Sequence, residues 1–506
     1  MEKFFKKDTR IIAVLIVLFL SALPFFFLHQ GLLLIDTGRE FYLPEQINSG
    51  GVLYKNVYNI YGPFSYQFNA VLFKIFGEHY NTLYFAGILN SLLITIIMFL
   101  LSREFTNKIN SFLIALLTMF SLVFTTFLYN SNITYAFAMV YALSAFLLSL
   151  LFLIKYIKNG NISFAFISCF FAGFSIANKY EFGLYIVILA YCLIFLKPAG
   201  IKNVLKSLLY FCIIPFICFA ILLLQGLNYD DIKYTINMFN NMLNAPSLKL
   251  FYSTFGVFFN IEYLKGLIQN NGIFAVFGVL PLLNLILFII KYKQIYKDKV
   301  LFAFILCSFA ACAKAFFFLN VNHMGVFIFP VCILASVVLF ERYNIKFISL
   351  LLAAAVVLFA AEDFSSLKYK NYLLETPKGR IYTFKKDGEP VKYVSDFIIA
   401  NTNIADKVVI MPEGSFINFI TERKGDNFFY NLSPLFYTDV FGEEMILNHF
   451  EKNMPEYFVI LPINNIEYGK SFFGIDYAQN FYEMIVNNYN LIEEKNSIKI
   501  FKRKNL

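Results

Sequence analysis

The sequence contains no tryptophan, and only 15% of its 506 residues are charged. All seven cysteines lie within apolar runs, and none falls in the polar C-terminal third of the chain. This placement excludes a disulfide framework and a zinc knuckle. Because 59% of the residues are hydrophobic and the mean hydropathy is +0.64, the composition excludes an ordinary soluble protein and predicts a membrane protein.

The net charge of +9 does not indicate nucleic-acid binding. Lysine and arginine are scattered through short segments between apolar runs, and they form no basic patch on a soluble domain. We therefore interpret their placement as a topology signal and expect no nucleic-acid partner.

Apolar runs long enough, or nearly long enough, to cross a hydrocarbon layer of roughly 30 Å occur along most of the chain. We predict an α-helical polytopic membrane protein with about eleven transmembrane helices. The runs are 11–28, 82–101, 109–129, 133–154, 162–177, 182–196, 207–224, 273–290, 300–319, 324–340 and 347–361.

The distribution of lysine and arginine predicts a cytoplasmic N-terminus, because basic residues concentrate in alternate connections. The first run lacks a small-residue cleavage site, which favours an uncleaved signal anchor over a cleaved signal peptide. Residues 178–181 either separate two short crossings or lie within a single one, and the charge bias favours two. We therefore expect a multi-pass protein of the cytoplasmic membrane with everything after about Ala361 on the outer side.

The polar segments predict where chemistry can occur. The long outer segments are 29–81, 225–272 and the tail after about Ala361. The cytoplasmic connections are too short to fold. We predict a membrane domain at 1–361 and a C-terminal outer domain at 362–506. Helical and strand patterns alternate in the tail, which predicts a small α/β domain with a largely parallel sheet.

The first outer segment carries two helix signals. Thr37 and Glu40 fit a capping box, and Pro44 disfavours a straight helix beyond that turn. A second helix is predicted between Gly62-Pro63 and Gly77. Because this helix is apolar on most sides, we expect it to lie in the membrane interface.

Two charged residues at the ends of apolar runs are candidates for chemistry. Asp36 follows the first run, where scarce water raises a carboxyl pKa and suits a general base; alternatively it caps the helix or pairs with Arg39. Lys314 lies inside the ninth run, where a lysine is costly and is a functional-site hypothesis by default. The alternative is a lysine that extends to the outer headgroups.

Other polar residues could line one cavity together with Asp36 and Lys314. Lys179 and Glu181 form a local ion pair or line that cavity, and His323 is a helix cap or a ligand near Lys314. Weaker candidates are His79, Asn130, Asn132 and the pair Asp230-Asp231. The sequence shows no metal cluster, phosphate loop or nucleophile elbow, so we expect no cofactor and no divalent metal.

At these residues the chain resembles the glycosyltransferase C superfamily, and within it the bacterial protein O-mannosyltransferases and the lipid A aminoarabinose transferase (glycosyltransferase family 39-like). The resemblance covers most of residues 1–361. The matching stretches are 36–40, 51–56, 61–63, 178–183 and 323–330. Residues 61–63 read Tyr61-Gly62-Pro63.

The resemblance implies transfer of a sugar from a polyprenyl-phosphate donor to a lipid, glycan or protein acceptor on the outer side, with inversion. Asp36 matches the family's catalytic carboxylate. A second acid usually follows it directly, whereas here Thr37 follows and Glu40 is the next acid, so both carboxylates stay candidates. The oligosaccharyltransferase branch is disfavoured, because its Trp-Trp-Asp signature requires tryptophan.

On this interpretation each candidate has a role. Lys314, helped by Lys179 or Arg39, stabilises the leaving phosphate, and Glu181, His323 and Tyr61 line the pocket. Two other classes stay open: a transporter or flippase of lipid-linked sugars, for which we find no internal repeat, and a non-catalytic envelope assembly protein.

Overall fold

The computed structural model describes residues 2–29, 34, 36–125, 130–246, 276–317, 321–342 and 347–504. Within these ranges it describes the backbone alone at 2–7, 276–279, 282, 312–317, 321–329 and 467. All structural statements below refer to these residues.

Helices dominate the first part of the chain, and each of the eleven predicted spans overlaps one of them. The helices are α1 Glu2–Phe26, α2 Asp36–Asn48, α3 Phe64–Phe76, α4 Tyr80–Arg103, α5 Lys108–Thr118, α6 Phe137–Asn159, α7 Ile162–Asn178, α8 Gly183–Tyr191, α9 Ile201–Leu224, α10 Tyr229–Asn244, α11 Val276–Lys297, α12 Lys299–Phe317, α13 Val321–Arg342 and α14 Ile348–Ser366. Short π-helical turns extend α5 over Met119–Val123 and α8 over Cys192–Leu196.

Five stretches among the described helices are long and apolar enough to cross a membrane: Asp8–Phe26, Tyr80–Arg103, Phe137–Asn159, Ile201–Leu224 and Ile348–Tyr369. Four further apolar stretches are shorter: Lys108–Val123, Ile162–Asn178, Tyr180–Leu196 and Lys299–Ala311. The protein is therefore a helical membrane protein, and the number of eleven crossings stays a prediction.

The bundle is built around α6, whose most apolar window is 89% buried, whereas the corresponding windows of α1 and α9 are 17% buried. A helix that is apolar on all sides and surrounded by other helices lies at the centre of a bundle. The peripheral helices expose their apolar side chains, as expected where lipid is the solvent. Helix α6 is therefore the central helix of the bundle.

The helical pattern breaks after α7, at the point where the sequence left one or two crossings open. Lys179 has an extended backbone, and a single 3₁₀ turn over Tyr180–Phe182 precedes α8. The break follows Asn178, whose side chain donates to the carbonyl of Phe174 and whose own carbonyl accepts the N–H of Gly62 at 2.9 Å. The polar stretch is therefore a structured break between two helices.

The first outer segment departs from its local sequence signals in two respects. Helix α2 continues through Pro44 to Asn48, although Pro44 disfavours a straight helix beyond the first turn. The predicted capping box is wrong, because Thr37 lies inside the helix and the Glu40 carboxylate binds Tyr66 and the Phe137 N–H instead. Tertiary contacts override the local signals here, since almost all of α2 is buried.

The second helix of this segment, α3, begins after Pro63 and ends before Gly77, as predicted. Gly77 has a φ of +89°, a conformation that favours glycine. Phe68, Val71 and Ile75 are exposed on its surface. This exposed apolar face agrees with a helix lying in the membrane interface.

The tail contains two sheets and four helices. Strands β1 Tyr372–Thr376 and β2 Gly379–Thr383 form an antiparallel hairpin. Strands β3 Val408–Met411, β4 Tyr457–Ile460, β5 Tyr489–Lys495 and β6 Ile498–Arg503 form a sheet of order β3-β4-β6-β5. The helices are α15 Lys385–Asn401, α16 Ser415–Thr421, α17 Glu443–Lys452 and α18 Gln479–Asn488, and a π-helical turn spans Leu435–Phe441.

The predicted largely parallel sheet is wrong. Only β3 and β4 pair in parallel, whereas β6 is antiparallel to both β4 and β5. Strand β5 is not evident from the sequence, because most of its side chains are solvent-exposed or half-buried and show no alternation of apolar and polar residues. Once β5 is included, a tight β5–β6 hairpin replaces the expected helical crossover.

The tail packs directly on the first outer segment. Helix α16 lies against α2, and a Cβ atom added to Gly38 would come within 2.5 Å of the Phe416 backbone nitrogen. The rings of Phe41 and Phe419 lie 5.3 Å apart in the same contact. The helix that carries Asp36 and Glu40 is therefore held between the membrane helices and the tail.

Candidate active site

Six of the eight predicted site residues lie together at one end of the helix bundle. The first turn of α2 contributes Asp36, Arg39 and Glu40; the loop before α3 contributes Tyr61; and the break after α7 contributes Lys179 and Glu181. Two tyrosines that sequence reasoning missed, Tyr66 and Tyr135, complete the group.

Glu40 is the buried carboxylate of this group. Its side chain has 0% exposure, and it accepts hydrogen bonds from the Tyr66 hydroxyl at 2.6 Å and from the Phe137 N–H at 2.7 Å. Arg39 Nε lies 3.3 Å from the same carboxylate. Burial raises the pKa of the Glu40 carboxyl, while Arg39 and these hydrogen bonds oppose that rise. Glu40 therefore ties α2 to α3 and α6.

Asp36 is the accessible carboxylate. Its side chain is 30% exposed, and one oxygen lies 3.3 Å from Arg39 Nη2. The pairing with Arg39 that the sequence left open is thus present, although it leaves part of the carboxylate uncovered. Of the two acids, Asp36 is the one that an incoming molecule can reach.

Arg39 connects both acids to the bundle. Its guanidinium donates to the Tyr135 carbonyl at 3.0 Å and lies 5.0 Å from the centre of the Tyr61 ring. Burial lowers the pKa of Arg39, but Tyr61 and Tyr66, followed by Asp36 and Glu40, raise it well above its ordinary value. The residue is a fixed positive charge in this site.

Lys179 is the second cation. Its side chain is 1% exposed, and its Nζ lies 3.4 Å from Glu181 Oε2. The same Nζ lies 4.2 Å from the Tyr61 ring centre and 3.3 Å from the Tyr135 hydroxyl. Tyr61 therefore has two cations within 5.0 Å of its ring centre, an arrangement that stabilises cations out of water.

The chain passes from Tyr61 to α3 through a close backbone contact. A Cβ atom at Gly62 would lie 2.1 Å from the Ala177 carbonyl oxygen, so only glycine fits. This contact places Tyr61 beside the break that carries Lys179. The Tyr61-Gly62-Pro63 motif and residues 178–183, which are distant in sequence, are thus neighbours in space.

The structure does not place the two remaining predicted residues in the site. Lys314 and His323 belong to α12 and α13, but their side chains lie outside the described part of the structure. Their roles stay predictions.

The weaker candidates have structural contacts. Asn130 accepts backbone N–H groups of Asn132 and Ile133 within its own loop. Asp231 caps α10 together with Asn228. Among the described residues, no group of three or more His, Cys, Asp or Glu side chains is arranged to hold a metal.

An apolar groove of about 870 Å³ lies beside the site. It is lined by α3, α4, α6 and α7, including Phe68, Leu89 and Phe174. Two of its polar lining side chains have partners: Asn90 donates to the Val140 carbonyl, and Tyr141 donates to Asn69. The groove therefore presents an apolar surface to a hydrocarbon chain. Its lining residue Tyr141 lies four residues along α6 from Phe137, whose N–H binds Glu40.

Comparison with known proteins identifies relatives of this architecture. Residues 62–223 match the PMT_2 family model, described as dolichyl-phosphate-mannose-protein mannosyltransferase. No curated protein sequence matches the chain significantly.

Solved structures share the fold at low sequence identity. ArnT from Cupriavidus metallidurans, bound to undecaprenyl phosphate, is 11% identical over 98% of each chain, with a TM-score of 0.55. The Archaeoglobus fulgidus oligosaccharyltransferase, in complex with Zn and sulfate, is 12% identical over 88% of this chain and 67% of its own, with a TM-score of 0.54.

A second archaeal structure, AglB from Archaeoglobus fulgidus with an inhibitory peptide and a dolichol-phosphate, is 12% identical over 90% of this chain and 70% of its own, with a TM-score of 0.51. These matches extend over both the helix bundle and the tail. This chain therefore shares its fold with ArnT and the archaeal oligosaccharyltransferase, and residues 62–223 match the mannosyltransferase family model.

Proposed function

We propose that this protein transfers a sugar from a polyprenyl-phosphate donor to an acceptor on the outer face of the membrane. The observation that carries the proposal is the pair of buried cations, Arg39 and Lys179, beside the accessible carboxylate of Asp36. An anion held by the cations lies beside Asp36, whose partly exposed carboxylate can act on a second substrate. ArnT and AglB, which share the fold, were solved with lipid phosphates.

Donor binding starts with an exchange of anions at Lys179. Its present partner, Glu181, is 34% exposed, whereas Lys179 itself is buried. A lipid phosphate that enters the site displaces the Glu181 carboxylate toward solvent and pairs with Lys179 and Arg39. The attraction is strong because the cations are shielded from water. Lys314, predicted from the sequence, is a further candidate for binding the donor phosphate.

The chemical step follows from this placement. Asp36 removes the proton from an acceptor hydroxyl, and the oxygen forms a bond to the anomeric carbon while the bond from that carbon to the phosphate oxygen breaks. The electron pair stays on the departing phosphate, whose growing charge Arg39 and Lys179 stabilise. Attack opposite the phosphate inverts the anomeric configuration. Because these cations neutralise the phosphate, the step proceeds without a divalent metal.

The apolar groove supports a lipid substrate. A hydrocarbon chain in the groove meets a mostly apolar lining and leaves the hydrogen bonds of Asn90 and Tyr141 intact. A site beside the tail also fits the proposed topology, in which the N-terminus is cytoplasmic and the tail lies on the outer side of the cytoplasmic membrane. Sugar transfer there uses lipid-linked donors, because nucleotide-activated sugars are ordinarily absent from that side.

Mass spectrometry of a deletion strain tests the proposal. We expect one envelope component to lose a sugar and the corresponding polyprenyl-phosphate sugar to accumulate. Re-expression of the wild type restores the component, and re-expression of Asp36→Asn does not. A flippase predicts that the lipid-linked sugar collects on the inner leaflet, and an assembly protein predicts rescue by Asp36→Asn; either result contradicts the proposal.

A further inference from the structure

The tail contributes a loop, residues 425–431, that is built around one buried acid. Asp426 accepts the backbone N–H groups of Phe428 and Phe429 at 3.0 and 2.8 Å. Its other oxygen binds Lys407 and His449, at 2.9 and 2.7 Å. These contacts lower the pKa of the Asp426 carboxyl below its ordinary range, although burial alone would raise it. The loop is therefore fixed by ionic contacts inside the tail.

The same loop is fixed to the helix that carries Asp36. The Tyr42 hydroxyl of α2 accepts the Gly425 N–H and donates to Asn427 Oδ1, both at 3.0 Å. The Tyr58 N–H donates to the Asn427 carbonyl at 3.3 Å. Since Tyr42 and Glu40 are two residues apart on one helix, the loop is positioned relative to the site by direct hydrogen bonds.

These contacts place Tyr430 at the site. Its ring packs against the cluster that contains Tyr42 and Tyr66, together with Tyr61. The charge of Arg39 lowers the pKa of the Tyr430 phenol, and those of Glu40, Glu413 and Asp36 raise it. Among the described residues, its hydroxyl has no hydrogen-bond partner, although Tyr66 beside it binds Glu40. Burial raises the pKa of the Tyr430 phenol, so it is a neutral donor at physiological pH.

We propose that Tyr430 is an acceptor-binding residue, whose hydroxyl holds the hydroxyl-bearing group of the acceptor against Asp36. The inference rests on the proposed transfer reaction. In that reaction Arg39 and Lys179 hold the phosphate of the sugar donor. Tyr430 packs beside Tyr61 and Tyr66 in the same site, and its hydroxyl binds no other described group, so it is available to the second substrate. The C-terminal domain then takes part directly in acceptor binding and acts as one wall of the active site.

The test measures acceptor and donor dependence separately. Purified full-length protein in lipid vesicles receives a radiolabelled polyprenyl-phosphate sugar, and an envelope fraction from the deletion strain serves as acceptor over a dilution series. Loss of one neutral hydrogen bond is worth about 1 kcal/mol, which corresponds to roughly fivefold. We expect Tyr430→Phe to raise the half-saturating amount of envelope about fivefold and to leave donor half-saturation unchanged.

Tyr489→Phe is the matched control. Its hydroxyl donates to the Pro455 carbonyl at 2.8 Å within the tail, so its loss weakens the fold without touching the site. We expect this variant to lower thermal stability and leave acceptor half-saturation unchanged. Unchanged acceptor half-saturation in a folded Tyr430→Phe protein, or a rise limited to the donor, overturns the inference. Absence of transfer by the wild type overturns the proposed function instead.

Discussion

Helix α2 carries a buried ionic cluster at each end, and the two clusters are built differently. At its first turn, Arg39 and Lys179 lie beside the Tyr61 ring with an accessible Asp36. Toward its other end, Lys378 of the β1–β2 turn is surrounded by three acids, Glu45, Glu78 and Glu422, at 3.4, 3.7 and 3.2 Å. Among the described residues, the first cluster contains two cations, whereas the second places three acids around the single cation Lys378.

This difference assigns the proposed transfer to the first cluster and attachment of the tail to the second. Lys378 is only 8% exposed, and its partners come from α2, the α3–α4 connection and the end of α16. Such a group joins the tail to the membrane helices, and three acids around one cation disfavour a further anion. The cluster at the first turn has two cations, Arg39 and Lys179, beside the acids Asp36, Glu40 and Glu181, so it repels a further anion less. We therefore expect substitutions in the first cluster to change the proposed transfer and those in the second to change docking of the tail.

The largest effect is expected at Asp36. Asp36→Asn removes the proposed base without a change in volume, so transfer falls by at least about 10²-fold while donor binding persists. Rates with the labelled donor and donor titrations on one preparation measure both. Glu40→Gln is the comparison, because this buried acid holds Tyr66 and the Phe137 N–H, and we expect it to lower thermal stability as well as rate. An active Asp36→Asn protein refutes the assignment of the base.

The next largest effect is expected at Lys179. Lys179→Met removes a positive charge from the proposed phosphate site, and removal of such a group costs about 10²-fold in rate. Lys179→Arg keeps part of donor affinity and turnover, since guanidinium also binds phosphate. Lys55→Met is the control, because Lys55 donates to the Gly226 carbonyl on the exposed surface. Equal donor affinity in Lys179→Met and wild type shifts the phosphate role to Lys314.

In the second cluster, Lys378→Met leaves three carboxylates without their cation. Loss of one partner from a buried ionic group destabilises by about 3 kcal/mol. We expect faster hydrogen exchange in β1, β2 and α16 and a modest loss of transfer. Lys392→Met, which breaks an exposed pair with Asp396, is the control and leaves exchange unchanged. A loss of activity as large as in Lys179→Met, without faster exchange, contradicts the distinction between the clusters.

The smallest effect is expected from pH. Burial, together with Glu78 and Glu422, raises the pKa of the Glu45 carboxyl to about 7. The folded protein therefore binds this proton more tightly than the unfolded chain, and the associated stability is lost as pH rises from about 4.5 through about 7. We expect Glu45→Gln to flatten the dependence of thermal stability on pH in this range. An unchanged profile shows that another group dominates.

Sequence reasoning identified the charged residues of the site because each lies at the end of an apolar run. Asp36, Arg39 and Glu40 follow the first run, and Lys179 and Glu181 interrupt another. In membrane segments such residues are costly, so their position alone is informative. The structure confirms that these residues lie together; their roles stay predictions.

The partners of these charges could not be predicted. Tyr66 and Tyr135 lie in stretches where aromatic residues are common, and Tyr430 lies more than 300 residues beyond the first outer segment. Nothing local shows that they reach Glu40, Lys179 or Asp36. The same limit explains Pro44 and β5, where contacts between distant segments decide the structure.

The most direct test of the account is reconstitution of the purified wild-type protein in vesicles with a labelled polyprenyl-phosphate sugar and an envelope fraction from the deletion strain. The account predicts that the label leaves the lipid and appears on an envelope component, with inverted anomeric configuration. Label that crosses the bilayer while still attached to its lipid, or that never leaves the lipid, contradicts it.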